Sequence, residues 1–111
     1  MKQERSHQLT VLLNDCARVC HHCAVACLNE KEVGMLTRCI RLDLDCAAIC
    51  RTAAGFLERG SENADAVLSA CAAICEQCAD ECEKHSHMEH CQVCAYMCRQ
   101  CAEACQHVEH I

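Results

Sequence analysis

Sixteen cysteines recur along this 111-residue chain at steps of three and four. Cys16, Cys20, Cys23 and Cys27 form a first group, and Cys71, Cys75, Cys78 and Cys82 repeat its spacing. Cys91, Cys94, Cys98, Cys101 and Cys105 form a longer run, while Cys39, Cys46 and Cys50 form a shorter one whose missing step falls on Asp43. On a helix, residues three and four apart lie on one face, with Cβ atoms about 5–6 Å from each other. Each group is therefore a stripe of thiols, and four stripes facing inward would make a tube of sulfur.

Thiolates are soft ligands that select soft ions, so Cu(I), zinc and iron–sulfur clusters are the candidates. Charge separates them. Ionising the whole set would bury about 16 negative charges, a prohibitive cost unless cations balance them. A closed four-thiolate zinc site keeps a net negative charge. Cu(I) bridged by thiolates can approach one ion per sulfur and leave the core neutral, which implies a full load on the order of 16 ions. Iron–sulfur ligation is disfavoured because its cysteine motifs usually sit in loops, often beside proline, and this chain has no proline. Zinc or mixed-metal buffering stays as the alternative.

Other side chains could take part. His85, His87 and His90, with Met35 and Met88 nearby, would stand just beyond the outermost cysteines, Cys27, Cys39, Cys82 and Cys91. Imidazole and thioether bind Cu(I) less tightly than thiolate does, which suits a mouth that passes ions inward. The alternative is a solvated turn that contains histidines. Asp43 has two readings. It is a carboxylate in the core, serving as ligand, electrostatic partner or proton acceptor, or the helix turns slightly so that Leu42 faces inward and Asp43 sits at the edge. His21 and His22 should point outward, and His7, His107 and His110 receive no role.

The elements that must hold these stripes follow from breakers and periodicity. With no proline and three glycines, the chain favours long helices. Turns are expected at Asn29 to Glu32, at Gly60-Ser61 and at Lys84 to Ser86. Ser61 has the character of an N-cap, and Ser86 with Glu89 has capping-box spacing. The helices then run over about 7–29, 34–59, 62–84 and 87–110. Connections this short force neighbours antiparallel, giving an all-α, up-down-up-down four-helix bundle with a cysteine-lined core, a single domain over residues 1–111. Continuing the register places Leu9, Leu13, Ala53, Leu57, Leu68 and Val108 inside as well. Sulfur would line one half of the axis and aliphatic carbon the other.

Composition narrows the function classes. Ten Lys plus Arg against 16 Asp plus Glu give a net charge of −6, with one Phe, one Tyr and no Trp. Neither a basic patch nor stacking aromatics speak for nucleic acid. No apolar run reaches the roughly 20 residues of a membrane span, and the N-terminus does not read as an export signal. The expectation is a cytoplasmic protein in a reducing compartment, where cysteine abundance reads as metal binding rather than disulfides. Catalysis finds no support: there is no Ser/His/Asp set, no phosphate-cradling glycine loop and no paired carboxylates, so a thiol redox enzyme or sensor is the weaker reading.

The repeated Cys-x-x-x-Cys-x-x-Cys-x-x-x-Cys stripes and the Asp-Cys-Ala-Ala-Ile-Cys segment at 45–50 resemble those of the copper storage proteins, over nearly the whole stretch from Cys16 to Cys105. The resemblance implies Cu(I) bound mostly by thiolate pairs along the bundle axis, and assembly into homo-oligomers, commonly tetramers. A store of this kind would exchange copper with a chaperone or chelator, which the sequence does not name. Exported members carry a twin-arginine signal that is absent here, which points to the cytosolic branch, whose histidines near one bundle end resemble His85, His87 and His90. The three cysteines of the second stripe are fewer than in fuller members, which leaves the capacity near Asp43 open.

Overall fold

A computed structural model describes residues 2–107, and among them the regular elements are all helical. Four α-helices follow one another: α1 (Lys2–Leu28), α2 (Thr37–Glu58), α3 (Ala64–Glu83) and α4 (Glu89–Gln106), with a 3₁₀ turn (Val33–Leu36) leading into α2. Each helix packs on its two neighbours, α1 on α2, α2 on α3, α3 on α4 and α4 back on α1. The result is a rod with extents of 46 × 18 × 17 Å. The expected antiparallel bundle is what forms.

Its core is the set of stripes. All sixteen cysteines are buried, and Ala17, Ala47, Ala72, Ala79, Ala95 and Ala102 are buried between them. The small alanines let the helices approach closely enough for sulfur to reach the axis. Leu9, Leu13, Ala53, Leu57 and Leu68 are buried in the same continuous core and fill its other half. Val108 and His110 lie outside the described residues.

Helix boundaries depart from the sequence expectation, each for a local reason. α1 starts at Lys2 rather than near residue 7, since nothing in the mixed-charge N-terminal stretch breaks a helix. α2 begins at Thr37, because residues 33–36 wind more tightly as the 3₁₀ turn. Gly60 ends α2 with φ +62°. Its N–H bonds the Leu57 carbonyl at 3.0 Å and the Ser61 N–H bonds that of Phe56 at 2.9 Å, the paired bonds of a Schellman stop. Ser61 is not the N-cap of α3. Its hydroxyl accepts the Asn63 N–H at 3.0 Å, shaping the turn, and Asn63 occupies the cap position. The capping box at Ser86 and Glu89 does not form either: Met88 is the cap residue, and the Ser86 carbonyl instead accepts a bond from the Gln92 side chain. His87 consequently lies in the turn and not on the fourth helix.

Candidate metal centre

Every thiol of the sixteen is free and inside. Neighbouring helices bring sulfurs together: Cys46 Sγ lies 3.5 Å from Cys75, Cys50 3.7 Å from Cys71, Cys20 3.6 Å from Cys98, and Cys39 3.6 Å from Cys82. Opposite helices meet as well, since α2 and α4 touch through Cys46 and Cys98 at 3.8 Å and through Cys50 and Cys101 at 3.9 Å. The stripes therefore converge on the axis itself. Several groups of four have all their sulfurs within 4.8 Å of one another, among them Cys16, Cys20, Cys46 and Cys98 in the middle and Cys23, Cys27, Cys39 and Cys91 near one end. One sulfur belongs to more than one such group; Cys50, for example, joins Cys71, Cys75 and Cys101 as well as Cys16, Cys46 and Cys75. That overlap distinguishes a continuous sulfur channel from separate closed sites. The donor set suits soft ions that share bridging thiolates.

Without cations the thiols do not all behave alike: the contacts from Cys23 and then Cys39 hold Cys82 down to about 5. Burial is the largest cause pushing the Cys91 thiol up to about 12, and burial raises Cys27 too. A thiolate there is unfavourable until a cation arrives.

Asp43 is fully buried, with Leu42 also buried beside it. The reading that placed Asp43 at the edge is thus overturned: the four-residue step from Cys39 carries it straight onto the axis. Its carboxyl takes the place of a thiol and meets sulfur from three helices, Cys78 Sγ at 3.1 Å, Cys94 Sγ at 3.3 Å, Cys82 Sγ at 3.6 Å and Cys39 Sγ at 4.0 Å. Burial first, and then the neighbouring Cys78, Cys82 and Cys39 sulfurs, push the carboxyl up to about 10. It too keeps its proton at neutral pH.

The end built from the turns around residues 30 and 85 carries Cys27, Cys39, Cys82 and Cys91, with Cys27 and Cys91 Sγ 3.9 Å apart. Above them the expected collar is brought together in part. His85 is mostly buried, with its side chain 12% exposed. Met88 is partly buried and packs on the core. His90 is 14% exposed, and its Nε2 is buried with no hydrogen-bond partner, Glu30 Oε2 standing 3.9 Å away. His87 is exposed but faces His85 edge-on, with ring centroids 6.4 Å apart. Met35 does not join the collar: it is 69% exposed, and Leu36 turns inward instead as part of the core. On the flank of α1, His22 is exposed and His21 lies against the Arg51 guanidinium.

Glu81 was not singled out by its spacing, yet it is buried at this end. Arg38 Nη1 of α2 donates to it at 2.7 Å, Lys84 Nζ lies at 3.4 Å, and His85 Nε2 at 3.1 Å. Burial acts to raise its carboxyl, but the bonds from Arg38, His85 and Lys84 outweigh burial and hold it below its ordinary value. Its one sequence signal is position, next to Cys82 and one helical turn before His85.

Comparison with known proteins agrees with this architecture. A sequence model of the family described as copper storage protein matches residues 2–110. A cytosolic copper storage protein from Streptomyces lividans, solved with five coppers, superposes with a TM-score of 0.90 at 44% identity, covering 95% of this chain and 92% of that one. The Cu(I)-bound copper storage protein BsCsp3 superposes with a TM-score of 0.87 at 40% identity, covering 92% and 95%. An uncharacterised cysteine-rich protein of Bacillus subtilis, YhjQ, is 45% identical over 78 residues, 70% of this chain and 71% of its own length.

Proposed function

Because the chain belongs to the copper storage protein family, we propose that it is a cytosolic store for Cu(I), loading many ions onto the thiolates of its core. The observation that carries this reading is the overlap of four-sulfur groups along the axis, all with free thiols. Monovalent ions bridging such sulfurs replace thiol protons one for one and leave a neutral interior. The cytosolic assignment rests on likeness to the Streptomyces protein.

In this reading the sixteen cysteines are the ligands, and Asp43 is an oxygen donor or proton carrier within their lattice. His85, His87 and His90 form the mouth for uptake and release at the Cys27–Cys91 end. The orphaned Nε2 of His90 supports that role, as a buried donor atom with no partner in the protein. The protein works as a single domain and stores rather than transforms its cargo, so it is not an enzyme. It exchanges copper with a chaperone or chelator and assembles as a homo-oligomer, a tetramer by resemblance. Exposed Val25, Leu28, Val93 and Tyr96 on α1 and α4 supply apolar surface for that assembly.

Anaerobic loading of the reduced protein with Cu(I) and Zn(II) in competition tests the reading. Copper should displace zinc and fill most of the core. Retention of zinc at stoichiometric amounts against excess Cu(I) would establish the general thiol buffer instead.

A further inference from the structure

Glu81 is a buried carboxylate in a position where an aliphatic side chain would suffice for packing. An ion pair in such a place contributes little net stability compared with well-packed apolar residues, so stability alone does not account for it. Its partners come from two sides. From α2, Arg38 holds one carboxylate oxygen, and Lys84 of the following turn lies near the same oxygen. The other oxygen faces His85 Nε2 at 3.1 Å. Arg38 and Glu81 directly precede Cys39 and Cys82, whose sulfurs stand 3.6 Å apart, so the ion pair crosses from α2 to α3 beside the outermost sulfur pair of those two helices. The backbone of His85 is fixed as well, its N–H on the Cys82 carbonyl and its own carbonyl accepting the Met88 N–H, both at 3.0 Å.

Accepting that His85 serves the mouth, we infer that Glu81 is its positioning residue: the carboxylate takes the Nε2–H of His85, so that Nδ1 is the nitrogen offered to incoming Cu(I). A carboxylate flanked by Arg38 and Lys84 can only accept, which leaves Nε2 the donor and Nδ1 the bearer of the lone pair. Carboxylate-to-imidazole bonds of this kind orient a ligating ring and strengthen its free nitrogen as a donor. His90 differs, since its Nε2 has no such partner. The two histidines thus reach the mouth by different means, one clamped from behind and one with a buried Nε2 that no protein group holds.

The test is the rate of transfer of the first equivalents of Cu(I) from a chromophoric chelator, under anaerobic conditions, with final capacity measured alongside. Glu81→Ala should slow uptake about tenfold, His85→Ala should slow it at least as much, and the double variant should be no slower than His85→Ala. Glu81→Gln keeps the volume, but Arg38 and Lys84 claim its single acceptor oxygen and leave an NH2 facing His85 Nε2. Its uptake should therefore stay slow, and wild-type uptake by it would overturn the positioning role. Capacity should stay near wild type throughout. In the wild-type protein, the ¹⁵N spectrum at low copper should show the His85 Nδ1 signal moving while Nε2 keeps its proton. Slowing by His85→Ala but not by Glu81→Ala overturns the positioning role and leaves the mouth standing, as does a Glu81→Ala effect that multiplies that of His85→Ala. Coordination through Nε2 overturns it in the wild-type protein without any variant. Wild-type uptake by His85→Ala removes His85 from the mouth, and the role of Glu81 with it.

Discussion

A carboxyl sealed among thiols has a measurable consequence before any metal is bound. Below about pH 4, Asp43 is protonated in folded and unfolded chains alike. Between there and its folded value of about 10, the unfolded chain sheds the proton and the folded chain does not, so stability falls as pH rises. Cys82, which its contacts with Cys23 and then Cys39 hold down to about 5, acts with the opposite sign above that value, so the share of Asp43 is the difference in slope between wild type and Asp43→Asn. In reduced apo protein, Asp43→Asn should flatten this slope and raise stability at pH 7 by on the order of a few kcal/mol, read by denaturant unfolding at several pH values. An unchanged slope would mean that the carboxyl is ionised in the folded state. Glu81 has the opposite sign, since its folded value is lowered and its contribution is lost only as acid titrates it.

Sequence legibility at this scale depended on range. That every cysteine would be inside follows from steps of three and four, a purely local property. Asp43 was ambiguous because Leu42 and Asp43 are adjacent on the helix, and a small rotation decides between them; the structure buries both, with Asp43 on the axis. Glu81 was invisible because the partner that holds its carboxylate, Arg38, comes from another helix.

The helices owe their stability to two kinds of core. The sulfur half packs small side chains around a lattice that carries cargo. The aliphatic half packs leucines, with Leu13 and Leu68 essentially without exposure. Leu13→Ala should cost about 2–5 kcal/mol in unfolding experiments, while copper capacity stays as in wild type, because no sulfur is disturbed. Loss of capacity in folded Leu13→Ala protein would mean that the two halves are not independent. At the α2–α3 turn, nothing crowds the place where a Cβ would sit on Gly60, but its φ of +62° is unfavourable for any other residue. Gly60→Ala should therefore cost about 1–2 kcal/mol through backbone conformation alone. The turns were the least legible elements. Ser61 and Ser86 have the right chemistry for caps, but the Schellman bonds at Gly60 and the chain of bonds through Glu81, His85 and Met88 fix where the next helix can start. Those are turn-level bonds between residues three to five apart, and they outcompete the side-chain caps.

Over the whole molecule, the bundle is a thiol channel that exchanges protons for cargo. Loading should stabilise the fold strongly, because ions that bind only the assembled thiolates favour the folded state. It should also become less favourable as pH falls, since each thiolate must give up a proton to bind. The apolar side chains left outside on α1 and α4 predict self-association, and Tyr96→Glu should lower the oligomeric state seen by sedimentation while leaving copper capacity unchanged. The rod shape and the convergence of sulfur on its axis were the most legible features, because proline-free chain and four registered stripes admit few other arrangements.

The central claim is that sulfurs from four helices share one axis and are balanced there by monovalent ions. Its most direct test is an anaerobic titration of reduced apo protein with Cu(I) at neutral pH, in the presence of a competing chelator and with released protons counted. The expected result is saturation approaching one ion per thiol, on the order of 16 ions, with about one proton released per ion bound. Saturation well below one ion per two cysteines, or binding without proton release, would contradict it.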